Sequence, residues 1–309
     1  MILLEKVRKH FIGKVKNMYE LIQVNKNDYY IDCPAKIGVI KVSDNEVICV
    51  DSGSDKDAGK KVLKKINENG WKLKAVYNTH SHADHIGGNK YLQDQTACKI
   101  FARGIEKNFT NHPILEAALL YGGFPPEELK HKFLYAQESV ADEMPLESLE
   151  KGIEILPLPG HSFDMVGFIT PDKTAYIADC LSSKETIEKY GIGYLWNVEA
   201  YIATLEKIKT LEAEKFIPSH AAVTDDIKPL AQYNIDTVIS VGERLAALLN
   251  EPMCFDNLLK KAFIEFNMIM SPQQHALIGS TVKSYLSWLK KNGKVESLIE
   301  DNMLLWKKL

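Results

Sequence analysis

Apolar and polar positions divide roughly the first 220 residues of the chain into short strands that alternate with helices. Alternating or continuously apolar runs predict strands over Tyr19–Val24, Ile37–Val42 and Glu46–Val50. Residues Asp57–Asn69 place apolar side chains at helical spacing instead, and Gly70 follows where such a helix would end. This alternation predicts a mixed α/β fold.

The pattern after about residue 226 is mostly helical. Ile227–Asn250 carries a broad apolar stripe, and two further helices are predicted over Asp256–Asn267 and Ser271–Lys291. A turn at Asn292-Gly293 then leads into Lys294–Leu309, which alternates like a β-hairpin. Helices followed by a hairpin resemble a winged helix.

The chain is therefore divided into a domain over residues 1–225 and a small helical, winged-helix-like domain over residues 226–309. Residues 104–148 interrupt the first domain with a segment rich in aromatic side chains. We expect this insertion to form either a lid or pocket wall that sets substrate choice, or a helical pair packed on the sheet. Its histidines, His112 and His131, are expected to face solvent.

Composition fits an ordinary globular protein of 309 residues, 45% hydrophobic and 26% charged. The net charge of −3 gives no global basic field that would attract nucleic acid. Residues 1–9 lack the apolar core of a signal peptide, and no apolar run approaches the length of a membrane span. The five cysteines are odd in number and lack C-x-x-C spacing, which predicts free thiols in a cytoplasmic protein.

The densest chemical signal lies in Thr79–His85. Three of the chain's nine histidines and one aspartate fall within six consecutive residues there. Imidazoles and carboxylates are good ligands for zinc and other divalent first-row metals. On an extended segment His80 and His82 point the same way, whereas Asp84 and His85 swing toward a second point as the chain turns. The segment predicts two metal positions in one loop.

The order His-x-His-x-Asp-His resembles the metallo-β-lactamase-fold hydrolase superfamily. That family takes its remaining ligands from the ends of three later strands and has an aspartate at the end of an earlier one. A candidate stands at each place: His161 after Ile153–Gly160, Asp179 after Thr174–Ala178, His220 after Lys215–Ser219, and Asp51 after Glu46–Val50. Proline, serine and alanine surround His220 where many members have glycines.

The resemblance implies an αββα sandwich, in which helices cover the outer faces of two sheets. It also implies two divalent metal ions, zinc before manganese or iron. The implied assignment is His80, His82 and His161 to the first metal, Asp84, His85 and His220 to the second, Asp179 to both, and Asp51 to the hydrogen bonds behind them.

Two neighbouring features bear on the same site. Cys180 follows Asp179 and could be a soft ligand, but adjacent strand residues face opposite sides, so we expect its thiol to pack inward. Ser182–Ala200 borders the substrate in the family. Lys184 or Tyr194 could there contact an anionic group or a developing oxyanion, although exposed lysines and tyrosines are usually only surface residues.

The expected activity is that of a dinuclear metal hydrolase, in which a metal-bridging hydroxide cleaves a small ester, thioester or amide, similar to glyoxalase II. Asp84 is expected to orient the hydroxide as well as to bind metal. A small molecule is the expected partner, and a homodimer stays open. A β-lactamase of the periplasm would need export, which weighs against that activity.

Other interpretations stay open. A phosphodiesterase or single-strand endoribonuclease is favoured by the C-terminal tail, but that tail has eight lysines, five acids and no arginine over residues 253–309. Another is a mononuclear iron oxygenase of persulfides. A two-iron electron-transfer relative is disfavoured because Ala83 stands where glutamate would be expected. A non-catalytic regulator is disfavoured by the intact ligand set.

Overall fold

A computed structural model describes residues 18–145 and 149–309. Residues 1–9, where no signal peptide is predicted, and residues 146–148 of the expected insertion lie outside the described residues. None of the helices in the described ranges combines the length and apolar character that crossing a membrane requires. The five cysteines all lie within these ranges and are free thiols, as predicted.

The first sheet contains seven strands in chain order. They are β1 (Glu20–Gln23), β2 (Asp28–Asp32), β3 (Ile37–Lys41), β4 (Glu46–Val50), β5 (Lys72–Tyr77), β6 (Lys99–Ala102) and β7 (Ala141–Glu143). Strands β1 to β4 pair antiparallel, and β4 to β7 pair parallel. The parallel half requires crossover connections, which the helices between these strands supply.

The remaining strands form two further sheets. They are β8 (Glu154–Pro157), β9 (Val166–Ile169), β10 (Thr174–Ser182), β11 (Lys215–His220), β12 (Met253–Cys254), β13 (Val295–Glu300) and β14 (Met303–Lys308). The second sheet has the order β11-β10-β9-β8, and the third, smaller sheet has the order β12-β14-β13. Strands β10 and β11 are parallel, whereas β9 is antiparallel to both of its neighbours. Asp301 and Asn302 form the predicted hairpin turn between β13 and β14 with positive φ angles.

Helices occupy the segments between the strands and most of the C-terminal part. The α-helices are Lys56–Glu68, Ala83–Ile86, Asn89–Thr96, Gly104–Asn111, Ile114–Tyr121, Lys184–Tyr190, Val198–Ile208, Lys228–Ala247, Phe255–Glu265 and Pro272–Lys291. Single 3-10 turns span Glu127–Leu129 and Glu150–Gly152. The three long helices predicted after residue 226 are present within a few residues of their expected ends.

Side-chain alternation along β4 produces two of the layers. Val47 and Cys49 pack toward the helix Lys56–Glu68, while Ile48 and Val50 face the second sheet. Successive strand residues point to opposite faces, so one strand contributes to two cores. A third core covers the outer face of the second sheet with the C-terminal helices. The molecule is therefore the mixed α/β αββα sandwich that the sequence resemblance implied.

The C-terminal helices share one core with the second sheet. Ile177 of β10 packs in the same buried cluster as Leu205, Leu245, Leu259 and Leu286, which belong to four different helices. Among the described residues, no separate core begins at residue 226. The domain boundary placed there stays a prediction.

The expected insertion contributes a strand to the first sheet and a helix that packs on the C-terminal part. Its strand β7 extends the first sheet beside β6, and its helix Ile114–Tyr121 packs against Pro272–Lys291 through Ala117 and Ala276. His112 and His131 are exposed, as predicted. Of the expected forms, the helix Gly104–Asn111 packs against β6 and β7, and the lid or pocket wall stays a prediction.

Candidate metal centre

The candidate side chains come from five strands and the loops that follow them. Asp51 follows β4, His161 lies beyond β8, Asp179 lies within β10, and His220 ends β11. The histidine segment follows β5, and in it residues Ala83–Ile86 form one helical turn. Loops at strand ends are where open α/β sheets place their chemistry.

Gly87 and Gly88 close the histidine segment against the loop after β4. A Cβ at Gly87 would lie 2.3 Å from the backbone of Ser54, and one at Gly88 would lie 2.3 Å from the carbonyl oxygen of Ser52. Only glycine permits so close an approach of two backbones. The predicted turn at these glycines therefore also holds the loop next to Asp51.

The first group of candidate ligands consists of three histidines. His82 Nδ1 lies 3.0 Å from His80 Nε2 and 3.0 Å from His161 Nε2. Nitrogens bound to one tetrahedral zinc lie about 3.3 Å apart, since each Zn–N bond is about 2.0–2.1 Å. The three nitrogens therefore surround a space of the size that a metal ion needs.

The second group contains two carboxylates and two histidines, and its ligand atoms all lie within 4.8 Å of one another. His85 Nε2 lies 3.1 Å from Asp179 Oδ1 and 3.7 Å from Asp84 Oδ2. His220 Nε2 lies 3.3 Å from Asp84 Oδ2 and 3.1 Å from Asp179 Oδ2. Such mixed nitrogen and oxygen sets are typical of zinc and of manganese or iron.

Asp179 joins the two groups. Its Oδ2 atom lies 3.6 Å from His161 Nε2 of the first group and 3.1 Å from His220 Nε2 of the second. Ala178, directly before it, has a positive φ of 49°, and the register of β10 against β11 shifts at this point. The bulge aims Asp179 at both groups, while Cys180 packs in the hydrophobic core as predicted.

Asp51 orients one histidine of each group, His85 directly and His80 through Thr79. Its Oδ2 atom lies 2.8 Å from His85 Nδ1 and accepts a 2.8 Å hydrogen bond from the hydroxyl of Thr79. Thr79 Oγ1 lies 3.0 Å from His80 Nδ1, and the Thr79 N–H donates to Asp51 Oδ1. These bonds fix the far nitrogens of both rings and leave each Nε2 facing its group.

Two further histidines, His161 and His220, use backbone carbonyls for the same purpose. His161 Nδ1 lies 3.1 Å from the carbonyl oxygen of Tyr194, and His220 Nδ1 lies 3.0 Å from that of Pro34. A ring nitrogen that donates to a carbonyl leaves the other nitrogen with a lone pair in the neutral ring. In the neutral form of each ring the lone pair therefore points into the centre.

Burial makes the first group neutral. It lowers the pKa of His80 well below its ordinary value, lowers that of His82 to about 4, and lowers that of His161 to about 3. Neighbouring histidines add to the effect, because a second positive charge nearby disfavours protonation. Neutral imidazole is the form that binds metal.

In the second group the pKa values of the histidines are raised instead. Burial alone would lower the pKa of His85 and His220, but the carboxylates of Asp179 and Asp84 outweigh it. They raise the pKa of His85 well above its ordinary value and that of His220 to about 10. The same contacts with His85 and His220 outweigh burial in lowering the pKa of both carboxyls. This group therefore carries protons in the absence of metal.

The donor set fits divalent metal. His85 Nε2 and Asp179 Oδ1 are both buried, lie 3.1 Å apart, and have no hydrogen-bond partner outside the second group among the described residues. A buried nitrogen and oxygen so placed need a shared proton or a metal ion to satisfy both. In the first group, the Nε2 lone pairs of His80 and His161 face a third imidazole nitrogen, an arrangement that a cation stabilises.

The structure thus brings together the seven side chains predicted as ligands, and their binding of metal stays a prediction. Tyr194 lies beside them, because its ring centroid is 5.1 Å from that of His82 and 5.7 Å from that of His161. Lys184 is exposed, and its ammonium lies over the ring of Tyr233. The structure therefore gives Tyr194, and not Lys184, a contact with the candidate centre.

Two buried glutamates near the first group were missed from the sequence. Glu106 accepts hydrogen bonds from Ser81 and Ser162, which stand next to the histidines, and Glu116 Oε1 lies 3.7 Å from His82 Nε2. Burial, with a smaller contribution from Glu106, raises the pKa of Glu116 to about 8. Both come from helices of the insertion, and no spacing in the sequence marks them, since only folding brings them to the site.

Comparison with known proteins points to one family. The model of the metallo-β-lactamase superfamily matches residues 30–220, which include all seven candidate ligands. Hydroxyacylglutathione hydrolase of Methylococcus capsulatus is 28% identical over 155 residues, covering 50% of either chain. Atrochrysone carboxyl ACP thioesterase of Aspergillus fumigatus is 22% identical over 62% of this chain and 52% of its own. The chain thus spans about half the length of these curated relatives.

Solved structures resemble the whole described molecule. A metallo-β-lactamase family protein of Thermus thermophilus has a TM-score of 0.69 at 17% identity, covering 94% of this chain and 97% of its own. A β-lactamase domain protein of Burkholderia ambifaria has a TM-score of 0.71 at 13% identity, covering 97% and 98%. At these identities the likeness concerns the fold alone, and it extends over the C-terminal helices.

Proposed function

Because this chain belongs to the metallo-β-lactamase superfamily, we propose that it is a metal-dependent hydrolase of a small acyl thioester or ester. The proposal rests above all on the paired ligand groups that share Asp179, including the buried atoms His85 Nε2 and Asp179 Oδ1, which have no partner outside the second group among the described residues. A fold can carry many activities, so the activity is argued from this site rather than from the fold.

In this proposal each group holds one divalent ion, zinc before manganese or iron. The first ion is held by His80, His82 and His161, and the second by Asp84, His85 and His220, with Asp179 serving both. When bound, such ions would lower the pKa of water to near neutrality and polarise the carbonyl oxygen of the acyl group.

The protein's own residues orient the ligands and admit the substrate. Asp84 is 39% exposed and His220 is 25% exposed, whereas the side chains of the first group are more deeply buried. The substrate therefore approaches on the side of Asp84. The Asp84 carboxylate accepts a hydrogen bond from the attacking water and aligns it with the acyl carbon.

The walls of the site favour an acyl group of low charge. Tyr194 packs against the buried cluster that contains Ala117 and Leu120, and its ring also contacts two candidate ligands. Glu116, on the same side, is largely uncharged at neutral pH, because burial raises its pKa to about 8.

The names of the relatives favour a thioester. Acylglutathione and acyl carrier protein substrates both join an acyl carbon to sulfur, and relatives named for hydrolysis of each match this chain. The chain spans about half the length of those relatives. We therefore infer from their names only that the substrate contains a thioester bond, and not what the acyl group or the thiol is.

Two further parts of the proposal concern the location of the protein and the role of its C-terminal part. We place the protein in the cytoplasm, where its free thiols would stay reduced. We also propose that the C-terminal part is a winged-helix-like packing module. Its helices share a core with the second sheet, which favours a buttress over a nucleic-acid reader.

The test combines metal analysis with substrate screening. Protein purified without chelators is expected to hold two divalent ions per chain and to hydrolyse an S-acylglutathione in preference to bis-nitrophenyl phosphate or short RNA. Chelation should abolish the activity, and added zinc should restore it. His161→Ala should lose activity, whereas His112→Ala is the matched control, because His112 is exposed and outside the site.

Other outcomes would replace the proposal. Faster cleavage of the phosphodiester or of RNA than of the thioester would indicate the nuclease alternative. One iron per chain without hydrolysis of any ester would indicate the oxygenase alternative. Protein that binds no divalent metal at all would remove the hydrolase proposal altogether.

A further inference from the structure

Glu106 is a buried carboxylate at the junction of the two segments that supply the first histidine group. It is 1% exposed and lies in the first turn of the helix Gly104–Asn111. Its Oε2 atom accepts hydrogen bonds from the Ser81 N–H at 3.0 Å and the Ser81 hydroxyl at 2.6 Å. Ser81 stands between His80 and His82, so this contact fixes the backbone from which both rings project.

The other oxygen of the same carboxylate holds the second segment. Glu106 Oε1 accepts hydrogen bonds from the Ser162 hydroxyl and from the Asp164 N–H, the latter at 3.0 Å. Ser162 directly follows His161. One side chain thus joins residues 81 and 162, which are far apart in sequence and adjacent to all three histidines.

Hydrogen bonds run in both directions between the helix Gly104–Asn111 and Asp164 in the segment after His161. Asp164 Oδ2 accepts a 2.9 Å hydrogen bond from the Ile105 N–H at the start of the helix, while its own N–H donates to Glu106. Gly104 has a φ of +52°, and a Cβ there would lie 2.3 Å from Asp164 Oδ2. Glycine is therefore needed for Asp164 to reach the helix end.

The four donors explain why this position is acidic. Two serine hydroxyls and two backbone N–H groups all point at Glu106, and a carboxylate is the side chain that offers only acceptors. The amide of glutamine would turn an N–H₂ group toward at least one donor. A buried donor left without an acceptor costs about 1–3 kcal/mol.

We propose that Glu106 is a positioning residue that sets the spacing of the His80–His82 segment from His161 and thereby tunes the first metal site. The proposal rests on the proposed function insofar as the three histidines bind metal. It gives the insertion a role at the metal centre in addition to the pocket wall expected of it.

The test compares Glu106→Gln with Glu143→Gln. Glu143 is exposed and accepts a 2.8 Å hydrogen bond from Gly104 N–H, so its variant disturbs the same helix end without touching the histidine segments. Zinc affinity is measured by competition with a chromophoric chelator, and site geometry by the visible absorption of cobalt-loaded protein. Metal-free unfolding midpoints report on folding.

Glu106→Gln is expected to weaken one of the two zinc equivalents by about 10- to 100-fold, the usual effect of removing a hydrogen bond that orients ligands. It should also change the cobalt spectrum of that equivalent. Glu143→Gln should leave both unchanged. Should Glu106→Gln fail to fold, Ser162→Ala and Ser81→Ala remove one hydroxyl donor each and are expected to show the same selective loss to a smaller degree.

Unchanged zinc affinity and cobalt spectrum in folded Glu106→Gln would overturn the proposal, and so would equal weakening by Glu143→Gln. These results would leave the hydrolase proposal standing, because that is tested by the wild-type protein. If wild-type protein binds no zinc, the hydrolase proposal and the positioning role both fail.

Discussion

The two ligand groups of the candidate centre differ although one seven-residue segment supplies ligands to both. The first group consists of three imidazoles that burial keeps neutral. The second combines two carboxylates with two imidazoles, whose pKa values rise beside those carboxylates. The second group is also the more open, since Asp84 is 39% exposed.

This difference shows that the environment, and not the residue type, sets the proton content of each histidine. A metal entering the first group meets lone pairs that are already free. A metal entering the second must displace protons from His85 and His220, after which both carboxylates compensate its charge. The two sites should therefore differ in pH dependence and in sensitivity to single substitutions.

The largest effect is expected from Asp179→Asn, which removes the carboxylate that the two groups share. Metal content should fall in both groups, and hydrolysis should fall by about 10³-fold or more, the scale seen when a group that stabilises transition-state charge is lost. Metal analysis and thioester hydrolysis measure this. Asp142→Asn is the control, because Asp142 is exposed on β7. Retention of both metals by Asp179→Asn would show that the groups are independent.

The next effect separates the groups. His80→Ala should remove the metal of the first group and His220→Ala that of the second, each leaving about one equivalent bound and lowering activity by about 10²-fold or more. Each variant is the control for the other. Loss of both metals from either variant would mean that one site forms only when the other is filled.

The two groups should also differ in how their metal affinity depends on pH. The pKa of His220 is raised to about 10, so this imidazole is protonated at neutral pH without metal, and metal affinity of the second group should rise as pH increases toward that value. The expected slope is about tenfold per pH unit for each proton released. The first group, whose histidines are neutral above about pH 4, should show little slope between pH 6 and 8. Equal slopes in zinc titrations at several pH values would contradict the comparison.

The smallest effect is expected from Thr79→Val, which removes the hydroxyl between Asp51 and His80 but keeps the bond between Asp51 and His85. Zinc affinity of the first group should fall by about tenfold, and that of the second should stay near the wild-type value. Thr110→Val is the matched control, since Thr110 is buried with a hydroxyl that has no partner in the described residues. Weakening of the second group instead would mean that Thr79 acts through Asp51.

Much of the centre could be predicted because its ligands follow strand ends. The run before Asp179 is continuously apolar, and strand alternation then separates Asp179 from Cys180, as the structure has them. Lys184 shows what sequence proximity leaves undecided. Its place after Asp179 left a substrate contact or an ordinary surface position open, and the structure places its ammonium over Tyr233.

By itself the sequence determined the alternation of strands and helices, the two-point geometry of the histidine segment, and the free state of the cysteines. These follow from local periodicity and from residue chemistry. Only the tertiary structure decided three properties of the candidate centre. They are the partners of the histidine nitrogens that face away from it, the carboxylate that joins Ser81 to Ser162 by hydrogen bonds, and the ligand group whose histidines are neutral. Those properties depend on partners distant in sequence and on burial, because desolvation and hydrogen bonding act through space rather than along the chain.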